Sequence, residues 1–135
     1  MHLPDWHSPR EIFHFIFRST KRIVCSKTRS FYKALSADVP AKEGLNAHAI
    51  LIDGTLFSDD EMIRSNTGQK IGRRMGHMPI DGEDGTLAAL DGLTARKIFI
   101  HINNTNPILL EDSPERAAVR AAGLLVGGDG MRFEI

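Results

Sequence analysis

Cysteine is nearly missing from this chain of 135 residues: Cys25 stands alone. That excludes an internal disulfide and a thiolate metal cage, so any metal would rest on histidine and carboxylate. Net charge is missing too. Seventeen Lys and Arg balance seventeen Asp and Glu, which leaves no global basic field to gather nucleic acid or anionic lipid from a distance. No apolar run approaches the roughly 18 residues of a membrane span. The best one, Ile12 to Phe17, is interrupted by His14 and followed, not preceded, by its basic cluster, so an export signal is not expected either. The reading is of a cytoplasmic protein with no membrane span and no nucleic-acid partner. What is present is ordinary for a soluble domain: 41% hydrophobic and 25% charged residues, on a chain about one domain long.

Glycine is absent before Gly44, and all twelve glycines lie there or later. The segment up to Tyr32 holds six of the nine aromatic residues. Residues 1–33 carry seven basic side chains against two acidic ones, and residues 34–135 carry ten against fifteen. Two compositions are therefore joined near position 33. Residues 1–33 are read as an atypical basic and aromatic leader whose helical turn or two packs Ile12, Phe15 and Ile16. The competing reading is an arm that stacks on nucleic acid or lies on a membrane surface.

From residue 34 the pattern becomes legible. Ala47 to Ile52 is a short apolar run stopped by Asp53 and Gly54, as a buried strand ending in a turn would be. Ser58, Asp59, Asp60 and Glu61 offer capping oxygens and early negative charge for a brief helix through Arg64. Arg64 to Asp84 is rich in glycine and polar groups and predicts a long loop. Thr86 to Leu90 predicts a short helix, and Lys97 to Ile102 a second buried strand. Ser113 as N-cap, with Pro114 behind it, opens a helix that Gly123 closes. Leu124 to Val126 and Met131 to Ile135 predict a terminal hairpin across Gly127 to Gly130. This order implies an α/β layer.

In such layers, chemistry collects beyond the carboxyl ends of the strands. Asp53 and His101 both sit there, and a carboxylate with an imidazole suits zinc or ferrous iron. Each residue also has an ordinary explanation, Asp53 as a turn former and His101 as a core histidine. His77, in the glycine-rich loop, fits a mobile general acid or base beside such a site, or simply an exposed loop residue. Cys25 is read as structural.

Several longer strings carry a more specific signal: Asp53-Gly54-Thr55-Leu56-Phe57-Ser58-Asp59-Asp60-Glu61-Met62, Gly76-His77-Met78-Pro79-Ile80, and Phe99-Ile100-His101-Ile102-Asn103-Asn104-Thr105-Asn106-Pro107-Ile108. Glu111 to Arg116 and Asp129-Gly130-Met131 follow in the same order. Residues 46–135 thereby resemble the carboxyl-terminal third of the B protein family of pyrroloquinoline quinone (PQQ) biosynthesis.

That resemblance implies part of a metallo-β-lactamase fold, the carboxyl-terminal half of an αββα sandwich, over residues 34–135. It implies Asp53 and His101 as ligands of a divalent metal, iron or zinc, His77 as the catalytic loop histidine, and Asn103 and Asn104 on the rim. It implies a role in making the quinone cofactor, by oxidation of a tyrosine-bearing precursor or by carriage of PQQ or its precursor towards the periplasm. Other PQQ biosynthesis proteins or the precursor peptide are the implied partners.

The chain also departs from the family. The His-x-His-x-Asp-His motif and the amino-terminal cysteine cluster do not occur in it. Leu124 to Gly128 stands where the family has a Gly-Trp-x-Val-Ala run. One Asp and one His fall short of the usual three or four protein ligands, which predicts weak metal binding and little activity by this chain alone. An uncovered sheet face predicts association into homo-oligomers or aggregates. The alternatives are a non-catalytic α/β binding module or a metal-dependent hydrolase of the same fold.

Overall fold

The computed structural model describes residues 47–132 in full and the backbone of two earlier strands. These are β1 (His14–Arg18) and β2 (Lys21–Ser26). They stand where helical turns were expected. Phe13, Phe15 and Phe17 alternate with other residues, and Ile23-Val24 is β-branched, which is the period and composition of strands, not of helix. Ile12 and the compositional join near position 33 lie outside the described residues.

β3 (Ala49–Asp53), β4 (Arg96–Ile100) and β5 (Leu124–Val126) complete a five-stranded sheet in the order β1-β2-β3-β4-β5. β1 pairs with β2 antiparallel, and every later pairing is parallel. A strand between parallel neighbours characteristically reads as a near-continuous apolar run, as β3 does. The register sets Asp53 opposite Ile100, so the expected parallel strands end at one edge. β4 stops two residues earlier than expected because His101 turns into the left-handed region, with φ of 56°, and no extended strand survives that step.

The connections follow the sequence closely. α1 (Glu61–Arg64) is the brief helix expected. Its N-cap Asp60 makes no side-chain capping bond; its Oδ1 instead accepts from Ser58 Oγ at 3.0 Å, while Asp59 Oδ1 accepts from Arg73 N at 2.8 Å and Glu61 Oε2 from Phe57 N at 2.6 Å. The long loop carries one 3-10 turn, Gly72–Met75, and leads to α2 (Thr86–Ala89). Gly85, just before it, must be glycine, because a Cβ there would lie 2.2 Å from Asp81 O. A second 3-10 turn, Pro107–Leu109, precedes α3 (Pro114–Ala121), where Ser113 Oγ accepts from Arg116 N at 3.0 Å as an N-cap should.

The expected terminal hairpin is not formed over the described residues. Gly127 N donates to Phe99 O at 2.8 Å, then a turn closes with Met131 N on Gly128 O at 3.0 Å. Met131 and Arg132 join no strand. Residues 133–135 lie outside the described set.

One face of the sheet places Ile50, Ile52, Phe99 and Leu124 against Met78, Ile80, Leu90, Ile108 and Val119. Burying each large side chain contributes about 1.5–3 kcal/mol. Gly54 lets the chain leaving β3 pass over this core, since a Cβ there would sit 2.9 Å from Phe99 Cβ. Among the described residues, no helix is long and apolar enough to cross a membrane.

Candidate metal centre

β3 and β4 deliver Asp53 and His101 to the same edge of the sheet. Asp53 is fully buried, and its Oδ1 lies 3.1 Å from His101 Nδ1. That separation matches the roughly 3–3.5 Å expected between two atoms that share one small metal ion. His77 reaches the other oxygen, with Nδ1 2.8 Å from Asp53 Oδ2. The sequence reading put His77 beside such a site; the structure puts it on the same carboxylate. Its arrival is built locally: Gly76, with φ of 89°, ends the 3-10 turn, and His77 N donates to Gly72 O at 3.0 Å. The two imidazoles stack with centroids 5.9 Å apart and planes 21° off parallel.

The donor set is therefore larger than the sequence count of one Asp and one His. Asp53, His77 and His101 each offer a ligand atom, all within 4.8 Å of one another. A buried carboxylate flanked by two imidazoles fits a divalent metal by its chemistry. Catalytic zinc commonly takes three protein ligands and keeps a position open, and two histidines with one carboxylate also suit ferrous iron.

Asn103 and Asn104 follow on the β4 exit loop. Asn103 Nδ2 donates to Thr105 Oγ1 at 2.7 Å and faces Met62 Sδ at 3.2 Å, while Asn104 is exposed. The structure adds three residues that the sequence reading did not single out. Thr55 Oγ1 lies 2.7 Å from Asp53 Oδ1 and 2.9 Å from His101 Nδ1. Glu61, buried, accepts through Oε1 from Thr105 Oγ1 at 2.5 Å, so it ties α1 to the β4 exit loop. Asn106, also buried, donates from Nδ2 to Gly54 O at 2.8 Å and accepts at Oδ1 from Ile108 N. Thr55 and Asn106 lie inside the strings Asp-Gly-Thr and Asn-Asn-Thr-Asn-Pro, but spacing gives no sign of which partner 50 positions away each would meet. Beside these loops opens a cleft of about 530 Å³, walled in part by Phe57, Glu61, Arg64, Thr105 and Pro107.

No protein-family model matches the chain. Among curated proteins, the coenzyme PQQ synthesis protein B of Azotobacter vinelandii is 54% identical over 99 residues, which is 73% of this chain and 33% of that protein. That of Rhizobium meliloti is 56% identical over 103 residues, 76% of this chain and 34% of the relative. Among solved structures, the crystal structure of zinc-bound PqqB from Methylobacterium extorquens superposes with a TM-score of 0.77 at 40% identity, covering 90% of this chain and 42% of that one. The chain thus spans about a third of the length of the curated relatives it matches. Its α/β layer is part of the metallo-β-lactamase fold of PqqB.

Proposed function

From its kinship with the coenzyme PQQ synthesis protein B family, whose carboxyl-terminal part it matches, we propose that this chain serves PQQ biosynthesis through a metal held at the carboxyl edge of β3 and β4. The observation that carries the reading is the convergence of Asp53, His77 and His101 within 4.8 Å. On this reading the three side chains hold a divalent metal, which supplies Lewis-acid or redox chemistry when bound. Ferrous iron is the ion suited to oxidising a tyrosine-bearing precursor, and zinc the ion suited to hydrolysis or to a structural role. With three donors the affinity exceeds what Asp53 and His101 alone would provide.

The chain's own residues have separable tasks. Asp53 orients both imidazoles and carries the negative charge that attracts the cation. His77, which reaches the site from a loop and not from a strand, is the residue this reading assigns as proton donor to the substrate. Asn103 and Asn104 offer amide groups at the rim, and other PQQ biosynthesis proteins or a precursor peptide are the partners.

The test is a chimaera of the Azotobacter vinelandii relative in which residues 46–135 of this chain replace the matching segment. In a bacterium lacking its own protein, PQQ production should return with the chimaera and not with its Asp53→Ala version. Equal PQQ production by the Asp53→Ala chimaera would remove the metal edge from the function.

A further inference from the structure

We propose that Asn103 meets the substrate with its side-chain carbonyl oxygen alone, and that this oxygen takes a hydrogen bond from an N–H or O–H donor of the precursor at the rim of the metal edge. The proposal deepens the reading above and rests on it for the class of substrate.

Asn103 stands two residues beyond His101 and is tied to that edge by its backbone, whose N–H donates to Thr55 O at 3.1 Å. Thr55 in turn sets its hydroxyl 2.7 Å from Asp53 Oδ1. An amide side chain has two protons on nitrogen and two lone pairs on oxygen, and an untethered one can turn either end to a ligand. That of Asn103 is tethered. Its Nδ2 lies 2.7 Å from Thr105 Oγ1 and 3.2 Å from Met62 Sδ, so each of its protons has an acceptor. A thioether sulfur can only accept. Thr105 also acts as an acceptor here, because its single proton is committed: Oγ1 lies 2.5 Å from Glu61 Oε1 and 4.0 Å from Met62 Sδ, and the carboxylate takes it. Glu61 is itself buried and held by Phe57 N, which donates to its Oε2 at 2.6 Å. Turning the Asn103 amide over would set its oxygen against lone pairs of Thr105 and Met62, which is repulsive. The bonds running from Phe57 through Glu61 and Thr105 therefore fix which end of the amide faces outward.

The outward end is Oδ1. Neither tethering bond uses it, and among the described residues no buried side-chain oxygen or nitrogen lacks a partner, so this oxygen is open to solvent. At this position the rim shows an acceptor and no donor. A carboxylate or carbonyl of a ligand would meet it lone pair to lone pair, whereas a peptide N–H or a phenolic O–H would complete it. A tyrosine-bearing peptide carries both donors. Asn104, the next residue, is exposed, and no side-chain bond among the described residues fixes its amide.

The tether and the recognition are read separately. In the 135-residue chain, NMR of the side-chain amides should show hydrogen exchange at least about tenfold slower for Asn103 than for Asn104, and Thr105→Val should bring the two rates together. The probes for recognition are desaminotyrosine N-methylamide, with one N–H and one O–H; its O-methyl ether, which lacks the O–H; and desaminotyrosine methyl ester, with oxygen in place of the N–H. All three are neutral, so the charge of the metal edge does not separate them. In the presence of Zn²⁺, wild type should bind the methylamide about tenfold more tightly than one of the other two, and the probe that is weakened identifies the donor. The preference should shrink in Thr105→Val and vanish in Asn103→Leu. Equal binding of all three probes to wild type, or binding of none, overturns the proposal, as does a preference that survives Asn103→Leu. Exchange at Asn103 as fast as at Asn104 in wild type overturns it too, and so does an unchanged Asn103 rate in Thr105→Val. Should the variants not fold, the exchange rates and the probe preference of wild type decide alone. Wild type that binds no Zn²⁺ yet keeps the preference removes the metal reading and leaves the Asn103 acceptor in place; Zn²⁺ held tightly without any preference removes this proposal alone.

Discussion

The two ends of the β3–β4 pair are made of the same two strands and use their polar side chains differently. At the carboxyl end, Thr55 and Asp53 meet His101, and Asn106 meets Gly54, in contacts that cross 46, 48 and 52 positions of sequence. At the amino end Lys97, buried in the sheet, gives its ammonium to Leu93 O at 2.9 Å, four positions back in its own approach loop. Side-chain bonds between distant loops are costly to assemble, because each orders two segments for one bond. Here they concentrate where two strands present a carboxylate and imidazoles together. The carboxyl end holds groups in relation to one another across the sequence, whereas Lys97 at the amino end satisfies its buried charge locally.

The sharpest way to break that contrast is Asp53→Ala. It removes the common acceptor of Thr55, His77 and His101, along with the only carboxylate of the donor set. Zn²⁺ affinity should fall by at least about 100-fold, beyond the loss typical of an outer partner, as read by chelator competition. Wild-type affinity in this variant would mean that the ion is held elsewhere and that the carboxyl edge is only a structural network.

Next in size is Asn106→Ala, which tests whether a side-chain tie between the two exit loops is needed without any metal. Asn106 is 2% exposed and bonds both Gly54 O and Ile108 N. Truncation leaves a buried carbonyl and a buried amide without these partners, at a cost of about 1–3 kcal/mol. Urea unfolding of the metal-free protein should show that loss. An unchanged midpoint would mean that water replaces the amide and that the two exit loops are held by the sheet alone.

How far the sequence foretold this architecture depends on the range of the interaction involved. The apolar runs of β3 and β4, the Ser113-Pro114 helix start and the brief helix at Glu61 are local patterns, and each formed where its residues pointed. Asp53 and His101 were legible as site candidates because both directly follow an apolar run, and parallel strands end together. His77 was legible as a loop histidine that could serve as acid or base beside the site, but not as a neighbour of the Asp53 carboxylate. Its seat on Asp53 depends on the path of some twenty intervening residues, including the Gly72–Met75 turn and the Arg73 bond to Asp59, which no periodicity encodes. Thr55 and Asn106 were hidden for the same reason, since small polar residues after a strand look like turn formers until their distant partners are known. The terminal hairpin differs for another: alternation in Met131 to Ile135 invited a strand, but over the described residues the glycine-rich link closes a turn and Met131 and Arg132 join no strand. The family strings supplied what local patterns could not, by tying Asp53, His77 and His101 to one edge.

The smallest expected effect belongs to the amino end and has a distinct pH signature. Lys97 is 8% exposed, and its pKa lies below the ordinary value because burial penalises the ammonium, an effect partly offset by the Asp91 carboxylate. Between the lowered folded value and the ordinary 10.5, the unfolded chain holds a proton on this amine that the folded chain has released. Stability from this group therefore rises with pH across that window, and the penalty of the buried charge is fully present below it. Lys97→Met replaces the amine with an unbranched apolar side chain of similar volume, a change worth less than about 1.5 kcal/mol in either direction. Relative to wild type the variant should look best at neutral pH, where it avoids burying a charge. Its advantage should shrink as pH climbs towards 10.5 and the wild-type amine becomes neutral. Urea unfolding of both proteins across that range measures the difference. A gap that stays constant with pH would mean that the Lys97 ammonium is as well solvated in the fold as outside it, and the amino end would then need no account beyond its packing.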